Sequence, residues 1–173
     1  MSAPALALIA AVALERLIEL LVARRNAAWA LARGGLEHGR GHYPCVVALH
    51  VLLLAGSIAE PALRSEAFDA ARFAAGAGAV VAAQALRWWT IAALGRRWTT
   101  RVIVVPGLPL VTGGPFRFLR HPNYLAVALE MAALPLAAGA WATAIGCSAL
   151  NALLMAVRIP CEEVALGLRG SRP

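Results

Sequence analysis

Lysine is absent from this chain: all 16 basic residues are arginine, and aspartate occurs once, at Asp69. Charge of either sign is scarce. Charged residues fill 14% of the 173 positions, against about 25% in a typical soluble domain. That shortage argues against a water-soluble globule. Cysteine is nearly absent as well. Cys45, Cys147 and Cys161 form no CxxC pair and lie in or beside apolar runs, which argues against a disulfide framework and against a zinc site. They read as small apolar core residues. No Ser/Gly linker, internal repeat or low-complexity tail interrupts the chain, so 1–173 is expected to be a single domain.

Apolar residues are abundant instead, at 61% of the total, and mean hydropathy is +0.71. Apolar runs lie at 3–23, 44–59, 72–94, 122–138 and 141–159. Several approach the ~20 residues needed to cross a bilayer. Only Gly139-Ala140 separates the last two, which predicts a tight helical hairpin near the C-terminus. The expected fold is all-α: a polytopic integral membrane protein of about five transmembrane helices. The first run lacks a basic leader and continues past Glu15 and Arg16 to about Val22. It is therefore expected to be a retained helix rather than a signal peptide.

The net charge is +7, which in a soluble protein would suggest nucleic acid. Here the arginines gather between the apolar runs, so no nucleic-acid partner is implied. Loops 24–43 and 95–120 and the C-terminal tail are rich in arginine. The 60–71 loop sets Glu60, Glu66 and Asp69 against Arg64. The positive-inside rule then predicts an external N-terminus and a cytoplasmic C-terminus, with both long loops facing the cytoplasm.

Three clusters could carry chemistry. The first is Arg120-His121-Pro122-Asn123-Tyr124. Pro122 suits the first position of a helix, and the N–H groups of that turn make an anion or carboxylate site. Arg120 adds a bidentate cation. The same residues equally suit an anchor at the membrane interface. The second is Arg158-Ile159-Pro160-Cys161-Glu162-Glu163. Its two carboxylates suit an ammonium group or ribose hydroxyls, or else a solvated helix end paired with Arg158 or Arg120. The third is Gln84 and Arg87, three apart on one helical face. Intramembrane polar residues point to function, although Arg87 could also snorkel beside Trp88 and Trp89. In the first span Arg16 and Glu19 can pair and face the bundle interior, and Glu130 suits a partner on another span. His50 could line a cavity. Glu37, His38 and His42 are too loosely spaced to make a metal site the expectation.

Taken together these clusters resemble the isoprenylcysteine carboxyl methyltransferase family of integral membrane enzymes. The residues that carry the resemblance are Gly113-Gly114-Pro115-Phe116-Arg117-Phe118-Leu119-Arg120-His121-Pro122-Asn123-Tyr124, then Arg158 and Glu162-Glu163 after one helical hairpin. Gln84-Ala85-Leu86-Arg87 followed by Leu94-Gly95 resembles the family's helix before the loop. The resemblance implies an S-adenosylmethionine (SAM)-binding half at about 84–168, facing the cytoplasm. It implies cofactor contacts from Arg120, His121, Pro122, Tyr124, Arg158, Glu162 and Glu163. It also places Arg87 near the reacting group of the substrate; Gln84 and His50 complete the expected catalytic group, with His50 or His42 the candidate base for a phenol or enol acceptor. No Gly-rich strand-to-helix turn of a soluble nucleotide-binding fold is present.

Arg24-Arg25-Asn26, Gly34, Glu37, His42-Tyr43-Pro44 and Leu49-His50 resemble a short bacterial branch of the family. That branch is associated with O-methylation of alkylpyrones or alkylresorcinols made by type III polyketide synthases. The short stretch after Glu163 departs from the longer tail of the eukaryotic enzymes. The expected activity is SAM-dependent O-methylation of a lipophilic substrate at the membrane–cytoplasm interface. The acceptor would be an isoprenylcysteine-type carboxylate or an alkylpyrone or alkylresorcinol hydroxyl. Phospholipid-type N-methylation and a non-enzymatic membrane transporter or subunit are the alternatives. The clustering of polar residues toward one face weighs against a transporter, which needs them through the bilayer.

Overall fold

A computed structural model describes residues 2–65 and 67–168. Glu66 of the acidic loop and the tail from 169 onward lie outside the described residues. Five helices account for most of the chain: α1 Ala3–Leu31, α2 Tyr43–Leu63, α3 Ala70–Leu94, α4 Pro122–Ala138 and α5 Trp141–Ala165. Among the described residues, the single departure from an all-α fold is a two-stranded antiparallel ribbon. In it β1 (Leu36–His38) pairs with β2 (Val102–Val104), with Glu37 opposite Ile103. The Val102–Val105 run, which by sequence suits either a short strand or a membrane-surface segment, forms a strand over Val102–Val104.

Among the described residues, three helical segments are long and apolar enough to cross a membrane: Arg40–Leu63, Ala70–Arg97 and Trp141–Ala165. α4 is apolar but has 17 residues, about 25 Å of rise. α1 has 29 residues but carries Glu15, Arg16 and Glu19 in its middle.

Local chemistry sets the helix ends. Pro4, Pro44 and Pro122 each fall in a first helical turn, where their missing N–H costs nothing. Asp69 caps α3 by accepting from the Arg72 amide at 3.0 Å. α4 stops at Gly139, whose φ of 85° is left-handed and so suits glycine. α5 is capped from another helix. The Glu60 carboxylate of α2 accepts from the amides of Ala142 (2.9 Å) and Thr143 (2.7 Å) and from the Thr143 hydroxyl (2.7 Å). A negative charge there also meets the positive end of the α5 dipole.

Two boundaries differ from the sequence reading. α1 continues to Leu31, so Arg24 and Arg25 lie on a helix rather than in a loop. α5 continues through Pro160 to Ala165, so Glu162 and Glu163 sit on a helix rather than on a polar tail. Proline removes one N–H, and in a bundle neighbouring groups hold such a turn together. Here the carboxylates beyond it are tied to α4.

The apolar core joins Ile9 and Val12 of α1, Leu49 and Leu53 of α2, Val80 of α3, Val127, Met131 and Leu134 of α4, and Cys147 of α5. α3 and α4 pack with their backbones in close approach. A Cβ at Gly76 would lie 2.7 Å from Ala137 Cβ and 2.8 Å from its Cα. Small residues let membrane helices meet this closely. The three cysteines are free, as expected, but only Cys147 is in the core; Cys45 is exposed.

A buried ion cluster crosses the same core. Arg16 donates to Glu19 at 2.5 Å, and to Gln84 and Glu130 at 3.1 Å each. Arg87 donates to Glu130 at 2.6 Å and to Gln84 at 3.2 Å, and its Nε lies 3.4 Å from Glu19. Glu130, Arg87 and Glu19 are 1%, 2% and 3% exposed. The expected Arg16–Glu19 and cross-span Glu130 pairings are both present. Arg87 points into the bundle and does not snorkel to the interface. Glu15 extends the cluster by accepting from the Trp88 indole at 2.5 Å.

Two stability measurements follow. Gly76→Ala should lower the thermal midpoint in detergent by the equivalent of about 1–3 kcal/mol. Gly78→Ala, with open space around it, should leave the midpoint unchanged or slightly raised. Glu130→Ala should cost about 3–5 kcal/mol, because it strands two buried arginines. A Glu130→Leu, Arg87→Met pair should recover part of that loss in the same denaturation assay.

Candidate active site

The face carrying both arginine-rich loops holds a cavity of about 300 Å³. Its walls come from elements far apart in sequence. Ala30 at the end of α1 and Thr90 and Leu94 of α3 form one side. Strand β2 and the Leu108–Thr112 segment form an apolar flap, and Pro122, Asn123 and Tyr124 form the start of α4. Arg158 and Glu162 of α5 complete it.

The flap is held by pairs the sequence gives little sign of. Asn26 of α1 donates to the carbonyls of Gly95 (3.2 Å) and Trp98 (2.8 Å), which tethers the loop after α3. Glu37 on β1 pairs with Arg40 at 3.2 Å and with Arg101 at 3.5 Å, and Arg101 also stacks over Tyr43. Arg97 donates to the Pro109 carbonyl. The turn into α2 needs Gly39. Its φ is 61°, and a Cβ there would meet His42 Nδ1 at 2.8 Å and Cys161 Sγ at 3.0 Å.

The polar wall is a relay across α4 and α5. His121 Nε2 meets Glu163 at 3.1 Å, and the Tyr124 hydroxyl donates to Glu162. Arg158 donates to the Tyr124 oxygen at 3.3 Å and to the Thr100 carbonyl at 2.6 Å. Exposed Arg120 lies 3.7 Å from Glu163 at the rim. The site thus presents one carboxylate, one buried guanidinium and the amide turn of α4 to the same cavity. Asn123 Oδ1 and Trp98 Nε1, both buried, have no hydrogen-bond partner among the described residues.

Of the expected cofactor residues, Arg120, His121, Pro122, Tyr124, Arg158 and Glu162 line the cavity. Glu163 stands behind His121 and supports it. Arg87 and Gln84 are not in the wall; they lie in the ion cluster one to two turns beyond Thr90. His50 is half-buried on α2, with Nδ1 2.8 Å from the Val46 carbonyl. Glu37 and His38 stand on β1 and His42 follows in the next turn; among the described residues no three His, Cys, Asp or Glu side chains gather as a metal group. The sequence reading missed Thr90, Trp98 and the 108–112 flap. Asn123 it quoted but gave no role.

This arrangement suits an amphipathic ligand of small-molecule size. The flap offers apolar surface to a flat ring. Glu162 can accept from hydroxyl or ammonium groups, and the first turn of α4 with Arg158 suits a carboxylate. S-adenosylmethionine carries each of these groups, and the residues present fit it.

Comparison with known proteins gives the same direction. The model of the isoprenylcysteine carboxyl methyltransferase (ICMT) family matches residues 76–167. An uncharacterised Bacillus subtilis protein, YpbQ, is 36% identical over 159 residues, covering 92% of this chain and 94% of the relative. An uncharacterised Haemophilus influenzae protein is 26% identical over 152 residues, covering 87% and 88% respectively. No solved structure matches.

Proposed function

The chain belongs to the isoprenylcysteine carboxyl methyltransferase family, a family of methyltransferases, and on that premise we propose that it is a SAM-dependent O-methyltransferase acting on a lipophilic acceptor. The observation that carries this reading is the cavity shared by the α4 first turn, Tyr124, Arg158 and Glu162. Bound there, the cofactor supplies a methyl group activated on a sulfonium. Glu162 would take its ribose or ammonium, Arg158, Pro122 and Asn123 its carboxylate end, and the flap its adenine. Arg120, His121 and Glu163 would hold this wall in place. The SAM-binding half would span about 84–168 of a single 1–173 domain. The N-terminus would be external and the C-terminus and cavity cytoplasmic, the orientation that the arginine-rich loops favour.

The acceptor would approach from the bilayer, with its polar head between the cavity and the ion cluster. Thr90 lines the cavity and Arg87 lies three residues deeper on α3, about 4.5 Å along the axis. Gln84 Nε2 and Arg16 Nε are buried donors without a partner among the described residues, and they suit an acceptor oxygen. Methyl transfer is an in-line displacement, so holding that oxygen in line is the main contribution of the protein. Between the expected acceptor chemistries, the ion cluster favours a neutral hydroxyl of the alkylresorcinol type. Arg16 and Arg87 are already neutralised by Glu19 and Glu130. An incoming carboxylate would meet two buried carboxylates and no uncompensated cation.

Calorimetry on the purified protein should show SAM and S-adenosylhomocysteine binding, and Glu162→Ala should weaken it about tenfold or more, the value of a hydrogen bond to a charged group. Labelled SAM should methylate a long-chain alkylresorcinol in preference to a prenylated thiol acid or an ethanolamine phospholipid. Absence of SAM binding to the wild-type protein would remove the reading. Preference for the phospholipid would replace it with N-methylation.

A further inference from the structure

Methylating a neutral hydroxyl releases a proton, and that proton has to reach water before the next turnover. Its receiver needs a free lone pair, a place in the cavity wall and access to solvent. Glu130 meets neither of the last two conditions. It is 1% exposed and outside the cavity wall, and both arginines of the ion cluster lie on its Oε2. Among the wall groups Arg158 is a cation, and Glu162 already accepts from the Tyr124 hydroxyl. His121 meets all three conditions.

His121 immediately precedes α4 and lines the cavity beside Pro122, Asn123 and Tyr124. Its Nε2 lies 3.1 Å from Glu163 Oε1 on α5. A carboxylate oxygen accepts, so Nε2 carries the hydrogen and Nδ1 carries the lone pair of the neutral ring. The bond made by one ring nitrogen sets the state of the other. Among the described residues no group bonds Nδ1. The Tyr124 ring packs beside the imidazole, with centroids 5.6 Å apart. The Glu163 side chain is 4% exposed and that of His121 is 17%. The carboxylate is thus sheltered, while the imidazole touches both the cavity and water. The charged and titratable groups around the ring are Arg120 at the rim, Tyr124 of α4, and Arg158, Glu162 and Glu163 of α5. Arg120 also lies 3.7 Å from Glu163 Oε1, but it is exposed, so water screens its pull. A carboxylate held on one imidazole nitrogen stabilises the imidazolium that forms when the other takes a proton.

We propose that the His121–Glu163 pair is the general base of the transfer: His121 takes the acceptor's hydroxyl proton at Nδ1, and Glu163 stabilises the imidazolium. This rests on the methyltransferase reading and on a neutral hydroxyl acceptor. It gives chemistry to a pair that otherwise only holds the cavity wall. The acceptor oxygen has to meet the methyl carbon at this cavity of about 300 Å³, whose wall includes the His121 ring. That oxygen forms its new bond to the methyl carbon, and the pair of the breaking carbon–sulfur bond stays on sulfur, which becomes a neutral thioether. The O–H proton moves to His121 Nδ1 and passes from there to water at the rim. No other reactant is needed.

The test uses the full-length protein in lipid nanodiscs and two long-chain alkylresorcinols of matched length. The parent is uncharged at neutral pH; a ring-polyfluorinated analogue is largely ionised there. In His121→Gln the amide keeps a donor for Glu163 but offers no basic nitrogen. Its SAM affinity should stay within about threefold while kcat on the parent falls about 100-fold, the scale of general-base catalysis. Its kcat on the ionised analogue should fall less than about fivefold, because that proton has already left. In the wild type the parent's kcat should drop on the acid side as His121 protonates. Glu163→Gln should move that limb to lower pH, since the imidazolium loses its carboxylate partner. Nitrogen-15 NMR of labelled histidine, with His121→Gln assigning the resonance, should report the Nε2–H tautomer. Equal losses on both acceptors, an Nδ1–H tautomer, or a limb unmoved by Glu163→Gln would overturn the proposal while leaving the methyltransferase reading intact. If His121→Gln does not bind SAM, Glu163→Gln decides, because it keeps the imidazole: a limb moved to lower pH supports the base, and an unmoved limb refutes it. If neither variant binds SAM, the wild-type tautomer decides. Failure of the wild type to bind SAM is a separate outcome that removes the function itself.

Discussion

The rest of the fold depends on a set of ion pairs placed where charge is most costly. Arg16, Glu19, Arg87 and Glu130 meet inside an apolar bundle, with Gln84 bridging both arginines. Burying any one of these ions alone costs several kcal/mol. They are tolerable only as a group, and the group forms only when α1, α3 and α4 sit at one depth and rotation. Apolar packing between helices in lipid has no comparable directionality. The Gly76–Ala137 approach brings α3 and α4 together, and the ions fix how far each has slid. That setting brings Thr90, the α4 first turn and the loop after α3 into one cavity above the cluster.

The site is therefore layered. Near the aqueous face, α4 and α5 supply fixed polar groups and β2 with the 108–112 segment supplies an apolar flap. One to two turns deeper, the cluster supplies buried donors, Gln84 Nε2 and Arg16 Nε, that have no hydrogen-bond partner among the described residues. A soluble cofactor and a lipid-borne acceptor would meet between these layers, each approaching from its own solvent. Glu60 serves the same plan at the other end of the bundle. By capping α5 from α2, it fixes the register of the helix that carries Arg158 and Glu162.

Much of this was legible in the residues. Period and hydropathy marked all five helices, the Gly139 break marked the hairpin, and the three-residue spacing of Arg16 and Glu19 announced their pairing. The motif at 120–124 and the distant Glu162-Glu163 pair were linked by their resemblance to the family, and the fold brings them into contact. What stayed hidden had physical causes. Helix α5 was expected to end at Pro160, yet cross-helix bonds from His121 and Tyr124 hold the two carboxylates in helical register beyond it. Arg87 looked like a surface or substrate-facing group because its partners come from residues 16, 19 and 130, and sequence spacing says nothing about such contacts. The cavity flap was missed because Val102–Val104 and Leu108–Thr112 carry no reactive groups; they matter only by shape.

The central claim is that the cofactor sits above the ion cluster with its reactive end directed at it. A structure of the protein in a lipid nanodisc with S-adenosylhomocysteine tests this most directly. The account predicts ligand density between the 102–112 flap and the start of α4. Its sulfur should lie toward Thr90, with Glu162 and Arg158 on its polar groups and the Arg16–Glu19–Arg87–Glu130 cluster intact beneath. Density elsewhere, or a sulfur directed to the aqueous rim near Arg120, would contradict it.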